Sequence, residues 1–344
     1  FRQRFFDRSI PWHLSKLFTN HCVTKTTCDH ENLIALDTVH SRGYLIFRLE
    51  SIFMSEYNKE LLIALREKAK LGSKTFQMLL SHFQSLENIV DADMAHLAEF
   101  PRISAKKAAV IHEIERHVEG IREDLESYRE DGIETVTIMD DHYPALLRQI
   151  NNPPFVLYHK GHFPAEDEQT IAIVGTTQAT TEGIEIAVAF SSTLADTGSV
   201  IVSGLARGID TAAHMGAIKA EGKSYAVLGC GINRIYPPEN KRLSEELLEN
   251  GALISEYPPN TKVTTGRLIS RNRIIVGLAQ SVVIGELDKK SRGTINAAER
   301  ARELGKLLFA IGREDLPVDP GLIEYGAIPL EDINKAEMIS DHSL

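Results

Sequence analysis

A chain of 344 residues, 43% hydrophobic and 25% charged, is too long for one average domain and too apolar to stay unfolded, so two globular units are expected. A formal net charge of -10 excludes wholesale nonspecific attraction to nucleic acid or anionic membrane, which scales with clustered Lys and Arg, and leaves a local basic surface as the route to a polyanion. Cys22, Cys28 and Cys230 are too few for a disulfide framework, and no apolar run reaches the roughly 20 residues that span a bilayer, so a cytoplasmic protein with no membrane partner is expected.

Residues 1–53 lack a starting Met, keep no sustained period and show no small-residue cleavage site after an apolar stretch. They are left unassigned, an extraneous extension ahead of a true start at Met54 being one explanation. Cys22, Cys28 and His30 lack a second pair of ligands at zinc spacing and are not read as a metal site. From 54 to 130 apolar residues recur at three- and four-residue intervals, which predicts a small all-helical domain of helix-hairpin-helix or SAM-like type. Two stretches, "KLGSKTFQMLLSHFQSLENIV" and "FPRISAKKAAVIHEIERHV", each set a short turn before a Lys-containing helix start, the arrangement by which hairpin amides hold backbone phosphate. Arg102 and Ser104 stand where such hairpins favour glycine, so a structural role is preferred for this domain. Residues 131–168 read as a connector with Pro144, Pro153 and Pro154 and one buried strand in "FVLYHKG".

Residues 169–335 are the most regular part of the chain, with 336–344 a tail. Apolar runs at Ile171–Gly175, Val200–Gly204, Tyr225–Gly229, Leu253–Glu256, Val282–Glu286 and Leu307–Ile311 alternate with helical patterns. Such runs describe parallel strands covered on both faces, so the expected fold is α/β, a Rossmann-like, doubly wound, mostly parallel sheet behind the helical domain. Ligands of such sheets collect beyond the carboxyl ends of the strands, where glycine admits close backbone approach and helix N-termini offer amides to anions. Four strand ends qualify: "VGTTQATTEG", "SGLARGID", "LGCGINRIYPPEN" and "GELDKKSRGTINAAE".

In "SGLARGID", Arg207 is placed at a helix start, where its guanidinium and the local amides face one anion. Asp210 and His214 follow, four residues apart, with no nucleophile or metal partner in register; His214 is read as a hydrogen-bonded structural residue, and the segment as binding rather than catalysing. "TTGRLISRNRIIVGLAQ" adds Arg267, Arg271 and Arg273 near a second helix start. Between residues 201 and 280 ten Lys and Arg face seven Asp and Glu, a local charge of +3 in a chain of -10.

At these residues the chain resembles the DprA/Smf family, the DNA-processing proteins of bacterial natural transformation. The resemblance runs from about Tyr143 to Ile333 through "YPALLRQINNPPFVLYHKG", "IAIVG", "VSGLARGIDTAAHMGAI", "AVLGCGINRIYPPENKRL", "LISEYPP", "RNRIIVGLAQSVVIGE", "LLFAIG" and "GLIEYGAIPLEDI". It implies a single-stranded-DNA-binding protein that is a homodimer, helps load the RecA recombinase, uses no cofactor and catalyses no turnover. By position, Arg207, Arg271 and Arg273 become DNA-contacting or pocket-shaping residues, with Arg267 beside them, and Gly175, Ser203, Gly204 and Gly229 shape phosphate-facing loops. The chain departs from the family's G-S-R after the first strand, having Gly175-Thr176-Thr177, and from its Phe-Pro before "RNR", having Leu268-Ile269. Ser291-Arg292-Gly293-Thr294 represents the family's S-G-S-like turn, where Arg292 restores part of the missing charge and Gly293 and Thr294 face phosphate.

Two alternatives stay open. Phosphoribohydrolase-like enzymes on the same kind of sheet carry P-G-G-x-G-T-x-x-E, but aligned on Gly293-Thr294 the glutamate position falls on Ala297, with Glu299 two residues late. A nucleotide-sensing module would use the same edge for a small phosphate ligand, and a Thr-rich first loop is compatible with that.

Overall fold

The computed structural model describes residues 37–41, 44–48, 56–164, 168–288, 291–313, 316–330 and 339. Within the unassigned N-terminal stretch it describes one antiparallel hairpin, β1 (Asp37–Ser41) and β2 (Tyr44–Arg48). Cys22, Cys28 and His30 lie outside the described residues, as does the segment 340–344. No described helix is long and apolar enough to cross a membrane.

Helices Glu56–Glu67, Ser73–Phe83, Leu86–Val90, Met94–Ala98, Ala105–His112 and Val118–Glu130 follow the predicted apolar period. Their starts are set by caps: Ser85 Oγ accepts from Asn88 N, Asp93 from Ala95 N and Ser104 Oγ from Lys107 N. The last contact gives a reason for Ser104 where a phosphate-binding hairpin favours glycine. Arg102 takes the left-handed turn itself, at φ 69°.

The remaining strands form one nine-stranded sheet. They are β3 (Ile133–Thr137), β4 (Val156–Gly161), β5 (Thr170–Val174), β6 (Val200–Ser203), β7 (Ser224–Leu228), β8 (Ala252–Ser255), β9 (Ser281–Ile284), β10 (Leu307–Ile311) and β11 (Ile328–Leu330), in the order β11-β10-β9-β5-β6-β7-β8-β4-β3. From β11 to β8 every pairing is parallel; β4 is antiparallel to both β8 and β3. The six strands expected from apolar runs all occur within two residues of their predicted bounds. Residues 131–168 do more than connect: they carry β3 as well as β4 and extend the sheet at one edge.

Period-two alternation divides the sheet's side chains between two cores. One face carries Val174, Val202, Tyr225, Val227, Ile254 and Val282 against helices Asn272–Leu278 and Arg292–Glu303. On the other face, Ile171, Ile173, Ile201 and Val283 pack on helices Thr181–Asp196 and Ile209–Lys219. The rest of that face, from Ala226 and Leu228 through Leu253 and Tyr158 to Ile133, packs on the N-terminal helices through Leu61, Leu65 and Leu125. The chain runs β5, β6, β7, β8 outward, then returns to place β9 on the other side of β5. Adjacent strands β5 and β9 therefore send their connections to opposite faces, which opens a crevice at their carboxyl ends.

Candidate nucleic-acid interface

A cavity of about 350 Å³ sits in that crevice. It is lined by strand ends, Val174 closing β5, Gly175 after it and Gly204 after β6, and by residues of two later segments, Leu268, Ile269, Arg271 and Asn272, and Ser291–Thr294. Arg207, Thr177 and Tyr236 complete its rim. Of the residues singled out from sequence, Gly175, Gly204, Arg207, Arg271, Arg292, Gly293 and Thr294 are brought together here. Ser203, Gly229, Arg267 and Arg273 stand outside the lining.

The turn after β6 forms because its residues allow it. Gly208 holds φ +71°, and a Cβ there would lie 2.3 Å from the Thr176 carbonyl oxygen, so only glycine fits. Gly204 is needed for a different reason: a Cβ would overlap the Arg271 guanidinium, at 1.7 Å from Nη1. That guanidinium donates to the Gly204 carbonyl, to Val227 O at 2.6 Å and to Leu268 O at 3.3 Å, and lies 3.3 Å from Asp210 Oδ2. Both charged side chains are about 94% buried, each 6% exposed. Burial pushes the Asp210 carboxyl up from its ordinary value, against the pull of Arg271 and a hydrogen bond from Ala206 N.

Of the two roles expected of Arg271, DNA contact or pocket shaping, these contacts describe the second, since four of its hydrogen bonds are made inside the protein while it lines the cavity. Arg273, expected in the same two roles, stands outside the lining, makes a two-pronged pair with Glu256, at 3.0 and 2.8 Å, and donates to Asn152 O at 3.0 Å. Arg271 shapes the pocket wall, and Arg273 braces it from behind. Arg267 lies over the Tyr257 ring, 5.1 Å from its centroid, and donates to the Lys262 carbonyl. Ser203 is fully buried and donates to Ile173 O at 2.6 Å. Gly229 follows β7, packed directly against Leu268.

Arg207 is exposed, with its Nε on the Glu239 carboxylate, and both side chains are more than half exposed. The expectation that the first amides of helix Ile209–Lys219 face an anion beside it does not hold, because Ile209 N donates to Thr176 O and Thr211 N to Ala206 O. The twelve-residue helix Arg292–Glu303 also starts at the cavity without a side-chain cap, since Ser291 supplies no side-chain bond. There Arg292 is exposed, while Thr294 is 3% exposed with Oγ1 lacking a hydrogen-bond partner among the described residues. Asn272 Nδ2 steadies the turn by donating to Gly293 O at 2.8 Å. A helix N-terminus, an arginine and an unpartnered hydroxyl line one cavity, an arrangement whose chemistry can hold an anion.

Tyr236 and Asn272 were not found by sequence reasoning. Tyr236 keeps 39% of its surface exposed at the rim, although the neighbouring Ile232, Pro237 and Asn240 are buried. Its signal was available, an aromatic in a Gly-, Asn- and Pro-rich loop after a strand.

His214 is fully buried. Ser224 Oγ donates to Ile201 O at 3.0 Å, so its 2.7 Å contact with His214 Nδ1 is one in which the ring nitrogen donates. Burial drives the imidazole down to about 3, which keeps it neutral at physiological pH and closed to proton transfer with the pocket.

A mostly parallel sheet with its pocket at the switch point defines a Rossmann-like protein whose cavity is built chiefly by the loops at the strand ends. The comparisons narrow that class. Residues 134–331 match the model of the family described as DNA recombination-mediator protein A, and the chain belongs to that family. It is 38% identical over 211 residues to DNA processing protein DprA of Bacillus subtilis, spanning 61% of this chain and 71% of that protein. The crystal structure of DNA processing protein A from Streptococcus pneumoniae superposes with a TM-score of 0.69 at 28% identity, covering 83% of this chain and 98% of that one. A DNA processing protein A from Helicobacter pylori, whose structure is described for a unique single-stranded DNA binding mode, superposes at 0.55 with 28% identity, covering 61% and 96%.

Proposed function

We propose that this chain binds single-stranded DNA in the switch-point pocket and serves DNA processing in transformation or recombination. In this reading it acts in the cytoplasm as a homodimer and hands the strand to the RecA recombinase. The observation that carries the reading is the pairing of two exposed arginines, Arg207 and Arg292, with the uncapped helix start at Thr294 around one cavity. Phosphate contacts of this kind need no particular sequence, and a flexible strand can bend its backbone into a crevice that a duplex cannot enter. Thr177, which stands where the resemblance to the family places an arginine, lines the same cavity as Arg292, and Arg292 supplies a cation to that cavity from another loop. The single-stranded DNA described for the Helicobacter pylori relative supports the same ligand class.

The chemistry is binding without turnover. Asp210 is locked to Arg271, His214 is sealed in the core, and Ala297 stands where a phosphoribohydrolase carries its glutamate. Glu299 accepts from Tyr325 OH at 3.2 Å and does not line the cavity. A nucleotide-sensing role is favoured by one observation, the cavity volume, which lies at the small-molecule end of ligand sites.

Titration with single-stranded DNA, duplex DNA and nucleoside monophosphates decides between these readings. Tighter binding of the single strand, weakening steeply with salt, is expected. Equal affinity for strand and duplex would overturn the proposal, and saturable binding of a monophosphate alone would transfer the site to nucleotide sensing.

A further inference from the structure

The helix that opens the pocket also reaches a second, larger depression. Gly293 lines the pocket, and Arg300, seven residues on, lines a groove of about 800 Å³ shared with helix Ser73–Phe83, Phe100 and the turn at Asn151 and Asn152. Seven residues return a helix to nearly the same face about 10 Å along its axis, at ~1.5 Å per residue. The groove's opposite wall is one face of helix Ser73–Phe83, with Lys74, Gln77, Met78, Ser81 and His82 at three- and four-residue spacing.

Three features mark this groove as a place for a polyanion. Its lining contains Lys74, His82 and Arg300 and no acidic residue, within a chain whose net charge is -10. Lys74 is exposed and follows Gly72, which gives the helix start no side-chain cap. Arg300 Nε is a buried donor with no partner among the described residues, and the pair its Nη1 makes with Glu303, at 3.0 Å, is a half-exposed surface contact of the kind readily exchanged for another anion. Pocket and groove are also joined through the chain, since Asn152 lines the groove while its carbonyl accepts from Arg273 behind the pocket wall.

We propose that the groove between helices Ser73–Phe83 and Arg292–Glu303 is a second contact site for the same DNA strand, receiving its backbone where it leaves the pocket. This rests on the pocket reading above and extends it. The spacing of about 10 Å corresponds to about three nucleotides at the ~3.4 Å rise of a stacked strand. Helices with no established ligand thereby become part of the binding surface, and the footprint exceeds what the pocket holds.

The test compares oligothymidylates of about 5 and about 20 nucleotides, lengths that bracket common single-strand sites, on the full chain and on a Lys74→Glu, Arg300→Glu double variant. The long strand is expected to bind the parent with a steeper salt dependence than the short one. In the double variant that excess disappears, the slope of log affinity for the long strand becoming shallower by about 1.4, at ~0.7 per phosphate contact, while short-strand affinity is unchanged. Should charge reversal lower the melting temperature, Lys74→Gln with Arg300→Gln carries the same comparison. Equal long-strand affinity and slope in parent and variant would overturn the groove site, as would equal losses for both lengths. A parent that binds neither strand would overturn the pocket reading and the groove with it, and only that result would implicate the pocket.

Discussion

Arg271→Met separates a pocket built around a buried ion pair from one in which Arg271 is a contact residue. Methionine keeps most of the volume and removes the guanidinium. What remains is the Asp210 carboxylate, 6% exposed, held only by neutral donors, Ala206 N at 3.4 Å, the Ser203 side chain and the Gly175 backbone, together with the carbonyls of Gly204 and Val227 stripped of their shared donor. Breaking a buried pair from one side costs about 3 to 5 kcal/mol, because the surviving charge is uncompensated. At roughly 2 to 4 °C per kcal/mol for a large domain, the melting temperature should fall on the order of 10 °C. The deficit should depend on pH. Burial already places the folded-state pKa of Asp210 above its unfolded value, and loss of Arg271 raises it further. A carboxyl so shifted favours the folded state below its unfolded pKa, and that contribution is lost as pH rises through the folded pKa, so acidification should narrow the gap to the parent. Asp210→Asn added to Arg271→Met should recover part of the loss at neutral pH. Denaturant unfolding of parent, single and double variants across pH checks all three statements. A single variant within about 0.5 kcal/mol of the parent, the range of ordinary surface changes, that nonetheless loses DNA affinity would refute the buried-pair account and return Arg271 to the ligand.

Arg207→Ala should weaken single-stranded DNA binding roughly tenfold or more, as expected for a lost charge-assisted contact, and make the salt slope shallower by about 0.7. Its melting temperature should stay near the parent's, because the Glu239 pair is a solvent-exposed one; calorimetry and affinity on one preparation check both parts. Tyr236→Ala should cost about fivefold or more for a strand carrying bases and nothing for an abasic strand of equal length, with Tyr236→Phe close to the parent, as measured by fluorescence anisotropy. His214 enters the folded state neutral, with its pKa lowered by burial to about 3. The stability it contributes is fully present above about pH 6.5 and is lost toward pH 3 at up to about 1.4 kcal/mol per pH unit. His214→Gln should flatten that part of the pH–stability curve, and an unchanged slope would move the effect to another group.

The central strands were legible because a strand buried on both faces must be apolar over most of its length, and "TIAIV", "SYAVL" and "SVVI" are apolar after a first Thr or Ser. Their neighbours at the two edges were not. In β3, "IETVT" mixes an exposed Glu134 with buried Val136, and β11 is three residues with a proline at its centre. The glycine-rich strand ends announced the pocket, since close backbone approach leaves a compositional mark. The arginines were harder to place. A sequence displays a charge but not its partner, and the partner of Arg271 is Asp210, 61 residues earlier, while that of Arg273 is Glu256, 17 residues earlier. Arg207 and Arg292 differ from them in staying exposed, Arg207 with only a solvent-exposed pair to Glu239, and exposure is a property of the tertiary structure alone.

The division of one sheet face between two sources of helix limits how the protein can be taken apart. Crossover helices cover the β9, β5 and β6 portion, whereas Ala226, Leu228, Leu253 and Tyr158 are covered by a segment that precedes the sheet in the chain. Arg66 fastens that segment in place, donating to Glu256 O at 3.0 and 2.7 Å. A fragment starting after residue 130 would therefore carry a broad oily flank and an orphaned carbonyl next to the pocket's bracing pair, and such flanks drive self-association. Excised or grafted onto foreign helices, the sheet keeps its solubility only if the replacement supplies both a matching apolar surface and a donor where Arg66 now stands.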